Sequence, residues 1–176
     1  MRARIGSTLL LLFLFTAARA ATISEIADVD TLLRVLERRL VISDQVAMAK
    51  WNSGAAIEDP PREEKVRQAF AQQAEAAGVD KAWVDQVMAA QIEASKARQR
   101  QLFWEWKGRR QPAFASPPDL AGDIRPQLDR LSGELILSLK AAGPVLERQP
   151  SLLPWRAEVL WGARPSQAER LALSGL

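Results

Sequence analysis

Arg39 and Lys50 stand eleven residues apart in a long apolar-periodic stretch. At about 3.6 residues per helical turn, that spacing puts both cations on one side, roughly 20° apart. Asp59 and Arg62 follow in Ile57-Glu58-Asp59-Pro60-Pro61-Arg62, with Glu63 next. Further on, Ser95 and Gln99 are four residues apart, so a hydroxyl and an amide reach the same spot on a helix. Cations on the inner side of an apolar helix are costly to bury unless something anionic fills the space. The chemistry these residues offer is therefore anion binding, with neutral donors beside it. The residues alone leave other readings open. Arg39 and Lys50 suit a solvated face, and Arg62 suits a surface pairing with Glu58 or Asp59. Glu63 suits a dipole-favoured surface acid, and Ser95 with Gln99 suits a structural hydrogen bond between helices.

Composition narrows the chemistry further. The chain has no histidine, cysteine or tyrosine. Ser-His-Asp and Cys-His nucleophilic sites and His-based zinc sites are excluded, and stability cannot come from disulfides. No phosphate loop, metal-ligand cluster or carboxylate dyad occurs in the sequence, so neither a metal nor a cofactor is expected. Arg2 and Arg4, the apolar run Leu9 to Phe15 and Ala18-Arg19-Ala20 form an export signal over residues 1–20, with cleavage expected before Ala21. The run is short for a membrane span, so no stable membrane anchor is expected. Of the 24 Lys+Arg, three leave with that segment, and the remainder equal the 21 Asp+Glu. The sequence pI of about 9.7 is then no argument for a nucleic-acid partner.

Positioning such residues falls to helices. Alanine, leucine, glutamine, arginine and glutamate dominate, and period-two β-branched runs are scarce, so the fold class is all-α. The expected architecture is a helical bundle with one long N-terminal helix, Ser24 to Trp51. Its apolar stripe is Ile26, Val29, Leu33, Leu36, Leu40 and Ser43, and Asn52-Ser53-Gly54 ends it. Asp59-Pro60-Pro61 starts a second helix that stops near Gly78. Asp80 caps a third, running to about Lys107, whose stripe reads Val84, Met88, Gln91, Ser95, Gln99, Leu102 and Trp106. Apolar ends around a polar middle fit a helix crossing a buried polar pocket. After a linker from Gly108 to Pro118, a fourth helix is expected to reach Ala142, broken by Gly143-Pro144. Two short helices follow, with Trp155 and Trp161 covering the bundle. Residues 21–176 read as a single domain, with a core at about 24–142 and a helical cover at 143–176.

Four motifs in order carry a resemblance. Glu37-Arg38-Arg39-Leu40, Ala49-Lys50-Trp51, Ile57-Glu58-Asp59-x-x-Arg62-Glu63 and Ile92-x-x-Ser95-x-x-x-Gln99 are similar to the all-helical, type II chorismate mutases. The export signal, the extended C-terminal half and Pro117-Pro118-Asp119-Leu120 before Ile124-Arg125-Pro126 resemble the secreted, gamma subclass. The match spans Leu32 to Lys107, extends more loosely from Asp119 to Leu139, and places nothing after Gly143.

The resemblance implies conversion of chorismate to prephenate, an intramolecular rearrangement that needs no nucleophile, metal or cofactor. It implies that Arg39 holds a substrate carboxylate, and that Lys50 and Gln99 donate to the ether oxygen of the breaking bond. Arg62 and Asp59 would surround the ring hydroxyl, Ser95 would lie near a carboxylate, and Arg125 would reach in from the later helix after a one-residue adjustment in the linker. Glu63 would be the wider family's ring-hydroxyl partner. Val66 falls where some secreted relatives place a glutamine. A homodimer and an exported location, periplasmic or secreted, are also implied. The competing expectations are an exported helical binding protein that kept this scaffold without catalysis, and a helical chaperone.

Overall fold

The computed structural model describes residues 20–176, so nearly all of the expected export signal lies outside the described residues. Among the described residues there are six α-helices: α1 Ile23–Ser53, α2 Pro60–Ala76, α3 Lys81–Gly108, α4 Arg125–Arg148, α5 Leu152–Trp161 and α6 Gln167–Leu173. A π-helical turn, Leu120–Ile124, precedes α4. No strand occurs among the described residues.

Local chemistry sets the helix ends. Thr22 and Glu25 form a capping box that starts α1: the Glu25 amide donates to Thr22 Oγ1 at 3.2 Å, and the Thr22 amide donates to Glu25 Oε2 at 2.7 Å. Gly54 ends α1 with φ +69°, a left-handed geometry that glycine adopts without penalty. Asp80 Oδ1 accepts from the Trp83 amide at 2.7 Å and starts α3.

The three long helices α1, α3 and α4 bury one another's stripes. Val29, Leu32, Leu33 and Leu36 of α1 meet Val84, Val87 and Met88 of α3 and Leu131, Leu135 and Leu139 of α4, all essentially inaccessible to solvent. The expected α3 stripe is buried except at Ser95, which keeps partial exposure. α2 is peripheral and buries only Phe70, Ala71 and Ala74.

A second, aromatic cluster closes the far end, where α1 stops. Trp51 meets Phe103 at 5.3 Å and Trp106 at 5.5 Å between ring centroids, and Phe114 meets Trp106 at 4.8 Å. Asn52 pins the linker there: its Nδ2 donates to the Phe114 carbonyl at 2.8 Å, and its Oδ1 accepts from the Phe114 amide at 2.9 Å.

Two sequence expectations change. Gly143-Pro144 does not break α4, which continues to Arg148. A Cβ at Gly143 would lie 3.2 Å from the Trp83 ring, so this glycine permits a close approach of helices and does not terminate one. Burial of Val145 and Leu146 beyond it offsets the hydrogen bond that Pro144 cannot make. Trp155 is 52% exposed and covers little; its ring stacks on the Arg156 guanidinium at 5.1 Å. Trp161 does pack on the core. Arg156 ties α5 to α1 through paired bonds to Asp30 at 2.6 and 2.7 Å.

Candidate active site

Helices α1, α2 and α3, together with the π-helical turn and the first turns of α4, enclose one cavity. Its wall contains Arg39, Lys50, Asp59, Arg62, Glu63, Ser95, Gln99 and Arg125, so all eight residues singled out in the sequence face a common space. Arg38, the neighbour of Arg39, points away, is 58% exposed and pairs with Glu134.

Arg39 enters from the middle of α1. Its Nη1 donates to Ser132 Oγ at 3.1 Å and to the Leu128 carbonyl at 3.5 Å, and its Nη2 approaches Met88 Sδ at 3.6 Å. Its Nε is buried without a partner. Every contact is neutral. Burial pulls its pKa from the ordinary arginine range down to about 10, opposed by the field of Asp129. Lys50, three turns on, donates to the Ile57 carbonyl at 2.6 Å and has other N–H groups to spare. Burial lowers its pKa as well, against the fields of Asp59, Glu63 and Glu58.

Arg62 comes from the first turn of α2. Asp59 caps that helix by accepting from the Arg62 amide at 3.2 Å, and Pro60 and Pro61 occupy positions that need no donor. Glu63 lines the cavity with both oxygens engaged: Oε1 accepts from the Asp59 amide at 3.0 Å, and Oε2 accepts from Lys96 at 3.0 Å.

Gln99 is 3% exposed. Its Nε2 donates to Ser95 Oγ at 3.0 Å, and Ser95 Oγ is 2.9 Å from Ser43 Oγ. One amide N–H of Gln99 remains uncommitted, and its Oε1 is buried without a partner. Gln91, the third polar residue of the stripe, also lines the cavity, but its amide is used by the fold. Its Nε2 donates to the Ala172 carbonyl at 2.9 Å and fastens α6 to α3.

Arg125 owes its place to the π-helical turn. The Ile124 amide bonds to the Asp119 carbonyl and the Arg125 amide to the Leu120 carbonyl, each five residues back. Such bonding takes up one extra residue relative to an α-turn.

Three charged or polar wall residues were not anticipated: Lys96, Asp129 and Ser132. Lys96 follows Glu93 by three residues and reads as a surface pair in the sequence. Asp129 and Ser132 lie off the apolar stripe of α4 and carry no motif. The wall thus holds five cations, Arg39, Lys50, Arg62, Lys96 and Arg125, against three carboxylates, Asp59, Glu63 and Asp129. That excess of two positive charges suits one dianion.

Of the five, only Lys96 is ion-paired. Elsewhere Arg67, Arg98, Arg100, Arg148 and Arg156 each pair with a carboxylate. Among the described residues, Arg39, Lys50, Arg62 and Arg125 do not. A cluster of unpaired cations in one partly enclosed space is unfavourable in the empty protein and favourable only with an anion present.

Fold and site therefore define an all-helical protein with a partly enclosed, cation-rich cavity suited to a small anion. Comparison with known proteins narrows the class. The family model for type II chorismate mutase matches residues 22–100. The secreted chorismate mutase of Mycolicibacterium smegmatis is 32% identical over 126 residues, covering 72% of this chain and 69% of that protein. The one from Mycobacterium tuberculosis is 31% identical over 119 residues, covering 68% of this chain and 58% of that protein. The crystal structure of chorismate mutase from Burkholderia thailandensis superposes with a TM-score of 0.75 at 35% identity, covering 85% of this chain and 96% of that one. In fold alone, the secreted chorismate mutase from Yersinia pestis is also similar, with a TM-score of 0.67 at 24% identity over 82% and 93% of the two chains. The chain belongs to the type II chorismate mutase family.

Proposed function

We propose that this cavity converts chorismate to prephenate, and that it does so by holding charge in place. The four unpaired cations carry this reading. Chorismate bears two carboxylates, and its rearrangement breaks an ether C–O bond while forming a C–C bond within one molecule. No proton need leave or arrive. Catalysis then requires a compact, diaxial conformer and donors where negative charge grows on the ether oxygen. Arg39 grips a carboxylate. Lys50 and the free N–H of Gln99 face the ether oxygen from opposite walls, α1 and α3. Arg62 and Arg125 complete the positive lining, with Ser95 beside a carboxylate and Asp59 near the ring hydroxyl.

The chain's own Arg125 lines the cavity, so one chain can complete its site, and activity is expected to survive dissociation of the homodimer that we carry over from the resemblance. The mature protein is a single domain from Ala21 to Leu176, exported to the periplasm or the medium. Its leader-like residues 1–20 and its relatives named as secreted support that location. Among the described residues, no helix is long and apolar enough to cross a membrane.

The direct test mixes the purified chain with chorismate and follows loss of the enolpyruvyl absorbance. Saturable turnover with no added cofactor is expected. Binding of chorismate without turnover would favour the inactive binding protein.

A further inference from the structure

We propose that Lys96 is a positioning residue for this reaction: it holds Glu63 away from Lys50 and so keeps the Lys50 ammonium free for substrate. The proposal rests on the reading that Lys50 acts on the substrate.

Three carboxylates lie close enough to Lys50 to act on its charge: Asp59, Glu63 and Glu58. None is within ion-pairing distance of it, because each is tied elsewhere. Glu58 pairs with Arg100 at 2.6 Å outside the cavity. Asp59 accepts from the Arg62 amide at 3.2 Å as the cap of α2. Glu63 is tied by Lys96 at 3.0 Å, and Lys96 is itself anchored by Glu93 at 2.5 Å. Only the last of these ties is a side-chain ion pair in the cavity wall. The Lys96 side chain is 11% exposed and that of Glu63 is 24% exposed, so water screens their pairing only in part.

Without Lys96, Glu63 would keep only the Asp59 amide on Oε1, and its half-enclosed Oε2 would face cations that lack partners. Lys50 and Arg62 line the same cavity, and either would become its counter-ion. A Lys50 ammonium bound to Glu63 must break that bond before it can donate to the ether oxygen. The loss should fall on kcat, because the Lys50 contact strengthens as charge develops.

A double-mutant cycle tests this with kcat and KM for chorismate, using the wild type, Lys96→Met, Lys96→Arg, Glu63→Gln, Lys96→Met/Glu63→Gln and Lys50→Ala. Unfolding melts check folding, and Lys96→Gln replaces Lys96→Met if that variant does not fold. Coupling within one ion-pair network is typically large enough that Lys96→Met should lower kcat about tenfold when Glu63 is present and less than about threefold when Glu63→Gln is present. Lys96→Arg, which keeps the pairing charge, should stay within about threefold of wild type. An equal loss in both backgrounds would mean that Lys96 acts on substrate directly, and would overturn the proposal. So would a wild-type kcat for Lys96→Met. Near-native turnover of Lys50→Ala would overturn the active-site reading itself, a failure distinct from either.

Discussion

Replacing Arg39 by methionine should give a more stable protein and a crippled enzyme. The Arg39 guanidinium has no anionic partner, and its Nε makes no hydrogen bond. Burial lowers its pKa to about 10, a shift that reflects a penalty on the charged form. At roughly 1.4 kcal/mol per pH unit, that penalty is about 3 kcal/mol. The sign follows from linkage. A cation whose folded pKa lies below its unfolded value destabilises the fold in full at neutral pH, and this fades only as pH rises through about 10 toward the unfolded arginine's value. Methionine has similar reach and carries no charge. Its removal of the guanidinium leaves no buried donor stranded, because Ser132 Oγ already donates to the Leu128 carbonyl at 2.9 Å. Imperfect packing takes back about 1 kcal/mol, leaving a net gain of about 1–3 kcal/mol. That is a rise in Tm of roughly 2–10 °C for a chain of this size. Urea unfolding between about pH 6 and 9 should show a constant gain, since Arg39 does not titrate there. Turnover in the same preparation should fall by about 2–4 kcal/mol of transition-state stabilisation, as for a lost preorganised donor. Destabilisation by more than about 1 kcal/mol would overturn this expectation, because the guanidinium would then be satisfied by the fold itself.

Lys50→Ala should lose on the order of 2–4 kcal/mol of transition-state stabilisation, read from kcat/KM, with an unchanged circular dichroism spectrum. The wild type should keep a broad pH optimum through neutrality because the Gln99 amide donates at any pH; Gln99→Glu should work only where the new carboxyl is protonated, so its rate should fall as pH rises. A flat profile for that variant between about pH 5 and 8 would count against an ether-oxygen role for position 99. Asn52→Ala removes the paired bonds to Phe114 and should cost about 1–3 kcal/mol in a denaturant melt, since two half-buried backbone groups lose their partners.

Much of this was legible because helical spacing turns sequence into direction. Arg39 with Lys50, and Ser95 with Gln99, share faces by periodicity alone, and Asp59 and Asp80 announce helix starts through side-chain geometry that needs no tertiary context. What stayed hidden depends on neighbours distant in sequence. Lys96 looks like the second half of a surface pair with Glu93 until α2 brings Glu63 to it. Gln91 reads only as a polar position of the α3 stripe, and α6 supplies the Ala172 carbonyl that its amide bonds. Gly143-Pro144 looks like a stop, and only the Trp83 ring against Gly143 explains why the helix runs on. The π-helical turn before Arg125 follows Asp119, whose side chain caps it, but such a cap does not distinguish five-residue from four-residue bonding.

A crystal structure with a bicyclic dicarboxylate that mimics the transition state would show whether charge is held where the reaction needs it. Lys50 Nζ and Gln99 Nε2 should both lie within hydrogen-bonding distance of the ether oxygen, with a carboxylate on Arg39 and Glu63 still held by Lys96. An inhibitor seated elsewhere, or an ether oxygen facing solvent with Lys50 turned toward a protein carboxylate, would be incompatible with the electrostatic mechanism.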